Sequence, residues 1–395
     1  MSEKTPRGPS IGRREFIATG AAMIALPTLA RSQGAATFVY VGSYTNNPPG
    51  GGSNNPIGLS VFRFDANSGT LTPVQEVTSA NPSFVALDPS RRFLYVVNEL
   101  ADFEGRPSGS AEAYSIDPSS GKLTLLNRQS VNGSTPAHLT VDPSGRNLLV
   151  ANYRGGNFVV LPIGSDGRLG PVTSEFMDIG HGPNEERQTS PHPHMVTFDL
   201  AGRFITTADL GTDQVQTFRL ANGKLGRVSV ASTAPGSGPR HVAFHHNGKI
   251  LYCLNELNAT ITSFGYDPAS GKIGDVIETV RTEPPDYRGR QSTAEIAVHP
   301  NGKFLYASNR GHNSIVGYRI DPATGKLAVI GYATEGMSFP RNFVIDPSGN
   351  WLYSANQKGD TIVQFAIDTA TGELKPTGQI IRSITPVAVV FRTPA

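Results

Sequence analysis

From about residue 37 onward, short apolar runs alternate with clusters of turn residues, and no long amphipathic stretch interrupts them. Leu251-Tyr252-Cys253-Leu254 is one such run, bounded by Gly248 and Asn255, and Leu148-Leu149-Val150-Ala151 is another. Runs of this length between Gly, Pro, Asn and Asp predict β-strands joined by tight turns.

The strands recur in a fixed unit. One block runs from Pro239 to Asn255, and others run from Pro82 to Asn98, Pro136 to Asn152, Pro193 to Asp209, Thr293 to Asn309 and Pro340 to Asn356. All keep a sixteen-residue interval and hold two strands around a turn such as Asp142-Pro143-Ser144-Gly145. A Gly-x-Leu/Ile hairpin signature follows at Gly69, Gly121, Gly167, Gly223, Gly271, Gly325 and Gly372, one more than the complete blocks. The missing block is split between the ends. Pro386 to Phe391 offers a first strand with nothing after it, and Phe38 to Tyr44 offers a second strand with nothing before it. Such halves predict an all-β, seven-bladed propeller of four-stranded antiparallel blades, closed by pairing of the terminal strands.

The repeat also selects a face. With strands A to D counted outward from the axis, both ends of each sixteen-residue block lie on one side, the top. Just after the initial Pro come His138, His194, Arg240, His241, Glu295, Arg341 and Asn342; just after strand B come Tyr44, Glu99, Tyr153, Arg154, Glu256, Arg310 and Gln357. The bottom repeats Asp-Pro-Ser-Gly or His-Pro-Asn-Gly turns, where Asp88, His245 and His299 are read as turn residues. Top residues differ from blade to blade, which turn chemistry does not require and a ligand does. Insertions agree: the stretches 102–110, 179–190 and 282–291, and the Gly/Pro-rich segment 46–56, all open on top, where a rigid scaffold commonly carries its binding loops. The repeated Asn98, Asn152, Asn255, Asn309 and Asn356 are read as structural caps of their own turns.

Composition then separates the N-terminus. Arg13-Arg14-Glu15-Phe16 precede a moderately apolar run from Ile17 to Ala30, the pattern of a twin-arginine export signal. Residues 1–34 are therefore assigned to signal and linker, residues 35–395 to the single propeller domain, and the mature protein to the periplasm or the exterior. The precursor's expected partner is the twin-arginine export machinery. The whole chain has a formal charge of +2, and removing residues 1–31 leaves 29 basic and 30 acidic side chains. Near-neutrality without a basic stripe argues against nucleic acid, and no span in the body has the length to cross a bilayer. Cys253, the single cysteine, excludes an intrachain disulfide and reads as a small buried hydrophobe.

The candidate chemistry is polar and metal-free. Arg240, Arg310 and Arg341 either pair with Glu256, Glu99 and Glu295 as ballast, or bind an anion and stabilise an oxyanion. Glu256 and Glu295 serve as base or as props for the arginines. His194, in Pro191-His192-Pro193-His194, is the imidazole best suited to proton transfer. A metal held by His192 and His194 lacks a third ligand at convincing spacing. No Gly-x-Ser-x-Gly elbow, phosphate loop or dinucleotide fingerprint occurs, so neither a covalent serine nor a cofactor is expected.

Val39-Tyr-Val-Gly-Ser-Tyr-Thr45, Pro191-His-Pro-His194, Gly238-Pro-Arg-His241 with Leu254-Asn-Glu256, and Ala294-Glu295 with Ser308-Asn-Arg310 resemble the lactonase family of seven-bladed propellers. That family includes propeller-type 6-phosphogluconolactonases and fungal carboxy-cis,cis-muconate cyclase. The resemblance spans about residues 37–391 and implies a catalytic set at His194, Arg240, Glu256 and Arg310, with His192 an alternative to His194. Tyr44, Glu99, His138, His192, Glu295 and Arg341 are the expected substrate contacts. It implies hydrolysis of a small, anionic sugar lactone or lactone acid by activated water. The alternatives are a muconate-type cyclase and a propeller that only binds a ligand or a protein.

Overall fold

The computed structural model describes residues 1–2, 37–221 and 223–394. Its strands form seven four-stranded antiparallel sheets. Blade 1 takes strand A from Pro386–Arg392 and strands B to D from Thr37–Ser43, Leu59–Phe64 and Leu71–Val77. Phe38 pairs with Arg392 and Ser43 with Pro386, so the two chain ends complete one sheet, as their complementary half-units predict. Blades 2 to 7 follow in sequence order, their A strands beginning at Pro82, Pro136, Pro193, Pro239, Thr293 and Pro340. The export signal expected in residues 1–34 falls almost entirely outside the described residues.

The sixteen-residue interval is a hairpin measured between its first and last pair. Pro82 pairs with Asn98, Pro136 with Asn152, Pro193 with Asp209, Pro239 with Asn255, Thr293 with Asn309 and Pro340 with Asn356. Proline suits the first residue of a strand, where its missing N–H costs no ladder bond. The terminal asparagines are structural, and their bonds reach back along the blade as well as into their own turn. Asn98 donates to the carbonyl of Ala80 at 2.8 Å, Asn152 to Val131 at 2.9 Å and Asn356 to Gly336 at 3.0 Å. Each thereby ties the end of strand B to the connector that feeds strand A. Asn255, Asn309 and Asn356 also bond within their own turns, to the hydroxyls of Thr260 at 2.9 Å, Ser314 at 3.2 Å and Thr361 at 3.3 Å.

Blades are joined by a second repeated device. A strand-B tyrosine donates to the hairpin-glycine carbonyl of the following blade: Tyr40 to Gly121, Tyr95 to Gly167, Tyr252 to Gly325 and Tyr306 to Gly372, at 2.8–3.0 Å. Tyr353 to Gly69 carries the pattern across the closure. The glycine is required there. At Gly121 φ is +71°, and a Cβ would stand 2.4 Å from the Phe38 ring.

Hydrophobic clusters lie between neighbouring blades; Val39, Val41 and Phe62 of blade 1, for example, pack with Tyr353, Ala355 and Ile362 of blade 7. Strands A to C are mostly buried and strand D is largely exposed, so each blade presents two apolar faces to its neighbours and one edge to water. Cys253 is fully buried in such a cluster, where burial pushes its thiol pKa up. It is a packing residue.

Candidate active site

In every blade the A–B ladder slips by one residue beside its first pair. A bulge at that point re-aims the side chains next to it. His194, Arg240, Glu295 and Arg341 all occupy these out-of-register positions. The top ends and their inserted loops enclose a cavity of about 260 Å³. Of the residues singled out from the repeat, Glu99, Tyr153, His194, Glu256, Arg310 and Arg341 line it.

Glu256 is the hub. Its Oε1 accepts from Arg187 Nη2 at 2.8 Å, and its Oε2 meets Arg310 Nη2 at 2.8 Å and Arg240 Nε at 3.1 Å. Burial alone would favour the neutral acid. Attraction from Arg310, Arg187 and Arg240 outweighs it and holds the carboxyl well below the usual range. Such a carboxylate is a firm anchor and a poor base. Arg240 stands behind the wall rather than on it: it is 2% exposed and also donates to the Ala294 carbonyl and to His241 Nε2. Burial first, then repulsion from Arg310 and Arg341, lowers its pKa. The sequence placed Arg240 in the channel; its carboxylate and carbonyl partners hold it beneath the surface that a ligand meets.

Two further networks flank the hub. The Tyr44 hydroxyl donates to Glu99 Oε2 at 2.6 Å and accepts from Arg341 Nη2 at 2.7 Å, bridging a pair whose direct separation is 3.8 Å. One residue further along strand A, His241 Nδ1 lies 3.0 Å from Glu295 Oε1, and Asn342 donates to Glu295 Oε2. His241 Nε2 faces the Arg240 donor, which assigns the proton to Nδ1 and makes the pair a neutral imidazole on a carboxylate. Burial lowers the His241 pKa; Glu295 is lowered by His241 against its own burial. Glu295 and His138 are buried and do not line the cavity; the His138 ring lies 5.3 Å from that of His241.

The two histidines of Pro191-His-Pro-His194 separate. His194 lines the cavity, and its buried Nδ1 has no partner among the described residues. Burial, then the Arg240 charge, lowers its pKa well below the ordinary imidazole value and keeps it neutral. His192 instead stacks on Tyr153 at 4.5 Å, with Nδ1 3.0 Å from the Tyr153 carbonyl oxygen. Among the described residues, no group of three or more His, Cys, Asp or Glu is placed to hold a metal ion.

Several lining residues carry no mark of the repeat. Arg187, Arg290 and Gly50 reach the cavity from insertions, and Phe339 from the connector before Pro340. Arg187 also donates to the Tyr153 hydroxyl at 3.1 Å, and the Arg310 guanidinium lies 5.3 Å from the Phe339 ring centre. Their one sequence signal was the prediction that these loops open on top.

The family described as lactonase, 7-bladed beta-propeller, matches residues 38–391. A 6-phosphogluconolactonase of Bacillus subtilis is 36% identical over 306 residues, covering 77% of this chain and 84% of that protein. A 6-phosphogluconolactonase of Formosa agariphila is 35% identical over 315 residues, covering 78% and 86%. Among solved structures, the periplasmic gluconolactonase of Pseudomonas aeruginosa matches with a TM-score of 0.83 at 29% identity, covering 91% of this chain and 100% of that one.

Proposed function

This chain belongs to the seven-bladed β-propeller lactonase family, and we propose that it opens the ring ester of a sugar lactone or lactone acid with water. The observation that carries the reading is a neutral His194, its buried Nδ1 without a partner among the described residues, on the same cavity wall as Arg310 and Arg341. The imidazole takes a proton from water as the oxygen attacks the ring carbonyl. The carbonyl oxygen becomes an oxyanion, which the guanidiniums stabilise, and such donors are commonly worth about 3–4 kcal/mol each. Collapse breaks the acyl–oxygen bond, and the imidazolium returns its proton to the departing ring oxygen, leaving a hydroxy acid. Glu256, committed to three arginines, positions them, and Arg240 acts through Glu256. The same groups run the reverse cyclisation when the hydroxy acid is in excess.

The test is hydrolysis of glucono-δ-lactone and 6-phosphoglucono-δ-lactone, followed by base uptake at constant pH. Turnover is expected to persist well below pH 6.5, because the depressed His194 pKa keeps the base unprotonated there. Absence of turnover on either lactone, with binding retained, gives the site to a non-enzymatic binder. A rate lost at pH 6.5 rejects His194 as the base.

We further propose export by the twin-arginine route. Arg13-Arg14 and the periplasmic Pseudomonas relative support it. Replacing both arginines by lysine should empty the periplasmic pool, and an undiminished pool rejects the route.

A further inference from the structure

Beside the cavity runs an open groove of about 590 Å³, lined by Leu257, Arg281, Tyr287, Arg288, Arg290 and Gln291. Arg290 belongs to both walls, so the groove continues the cavity. The other arginines lining the cavity are committed: Arg187 and Arg310 to Glu256, and Arg341 to Tyr44 and Glu99. Arg281, Arg288 and Arg290 form no ion pair among the described residues. Arg288 donates to the carbonyls of Pro285 and Tyr287, at 2.6 and 2.9 Å, and so orders the loop without losing its charge.

Acidic residues of the same loop offset this charge only in part. Glu283 is 1% exposed, both its oxygens lack a partner among the described residues, and burial, against the pull of Arg281, pushes its pKa up to about 7. Asp286 makes no ion pair among the described residues. The groove is therefore a cationic slot with one aromatic ring.

We infer that this groove binds an acidic sugar unit attached to the lactone, so that the preferred substrate is the lactone end of an acidic sugar chain. The inference rests on the hydrolase reading above and names its substrate class. Guanidinium groups pair with carboxylates through two parallel bonds. Tyr287, whose hydroxyl donates to the Arg290 carbonyl at 3.4 Å, offers its ring to the C–H side of a sugar. The cavity volume suits one ring, and the groove takes the next unit. Oxidation of the reducing end of a sugar chain closes to a lactone, so a lactone bearing such a tail is chemically ordinary.

The test compares three lactones: that made by oxidising the reducing end of digalacturonic acid, the neutral cellobionolactone, and glucono-δ-lactone. The acidic disaccharide lactone is expected to exceed the neutral one in kcat/KM by about tenfold or more. Arg281→Gln/Arg288→Gln should remove that advantage through KM and leave glucono-δ-lactone unchanged. Equal values for the two disaccharide lactones overturn the inference, as does an equal loss on the monomer. Because Arg288 orders the loop, Arg281→Gln alone is the control; its side chain makes no hydrogen bond among the described residues.

Calorimetric titration with digalacturonic acid itself requires no turnover. Binding weakened about tenfold by Arg281→Gln supports the groove even if no lactone is hydrolysed, in which case the hydrolase reading alone fails. No binding overturns the inference, and so does displacement by an equal concentration of inorganic sulfate, which would mark a bare anion site.

Discussion

Asp142, at the bottom of blade 3, accepts the backbone N–H of Arg146 at 2.8 Å and of Asn147 at 3.1 Å, all within its own turn. Glu256, at the top of blade 5, accepts from Arg187, 69 residues away in sequence, and from Arg310 in the next blade. Both carboxylates are buried, at 7% and 4% exposure, yet their partners have unlike reach. Asp88, Asp199 and Asp346 repeat the bottom arrangement, each accepting backbone N–H groups from residues no more than five positions on; Asp199 Oδ2 also accepts from the Tyr266 hydroxyl of the next blade at 3.4 Å. At the top, Arg341 reaches Tyr44 across 297 residues, and only a closed ring brings that pair together. The bottom aspartates thus draw their backbone donors from the hairpin that owns them, even where His245 and His299 in equivalent turns reach the Gly302 and Gly349 carbonyls of the next blade, whereas Glu256 and Arg341 at the top are satisfied by the assembled propeller. A group whose partners come from the whole ring can be changed in one blade without spoiling the repeat, which is how unlike chemistry gathers over a monotonous scaffold.

The sharpest way to break this contrast is Glu256→Ala. It strands Arg240 and Arg310, both nearly inaccessible to water, without their counter-charge. Removing one partner of a buried ion pair typically costs about 3–5 kcal/mol, because the remaining charge stays desolvated. The urea midpoint should fall accordingly with its slope preserved. Lactone turnover should vanish with it, since the arginines that face the cavity lose their anchor. A loss below about 1 kcal/mol would place the cluster among exposed pairs of little consequence, and top and bottom would no longer differ in kind.

The closure was legible because it is written twice. A sixteen-residue interval returns a strand to its starting level, and two half-blocks at opposite ends admit one joining. The same periodicity put Glu99, His194, Glu256, Arg310 and Arg341 on one face, and all five line the cavity. What it did not give was depth. Arg240 and Arg341 occupy equivalent positions in their strands, yet one lies behind the wall and the other on it, because Glu256 and the Ala294 carbonyl draw Arg240 inward. Partner identity is a property of neighbouring blades, and a repeat read along one chain does not contain it. Arg187 and Arg290 were beyond reach for a related reason. They sit in insertions, where no periodic register fixes a side chain's direction. His192 and His194 part in a similar way, the first stacking on Tyr153 and the second lining the cavity.

The smaller test belongs to the bottom. Asp142→Ala removes an acceptor for two backbone N–H groups, the Ser144 hydroxyl and the Asn147 side chain. All these donors lie in a surface turn, and Arg146 is exposed, so water can replace the carboxylate. The turn keeps its own backbone bond, from the Gly145 N–H to the Asp142 carbonyl. The cost should therefore be that of ordinary hydrogen bonds exchanged for water, about 1 kcal/mol, with kcat/KM unchanged within twofold. Combined with Glu256→Ala, the two losses should add to within about 0.5 kcal/mol, because the sites share no partner. Denaturant midpoints of the two single variants and the double variant measure this directly. Were Asp142→Ala to depress turnover, or the pair to fall short of additivity by more than about 1 kcal/mol, the bottom turns would be coupled to the cavity through the blades. The division between bottom aspartates held by their own turns and a ring-dependent Glu256 would then be wrong.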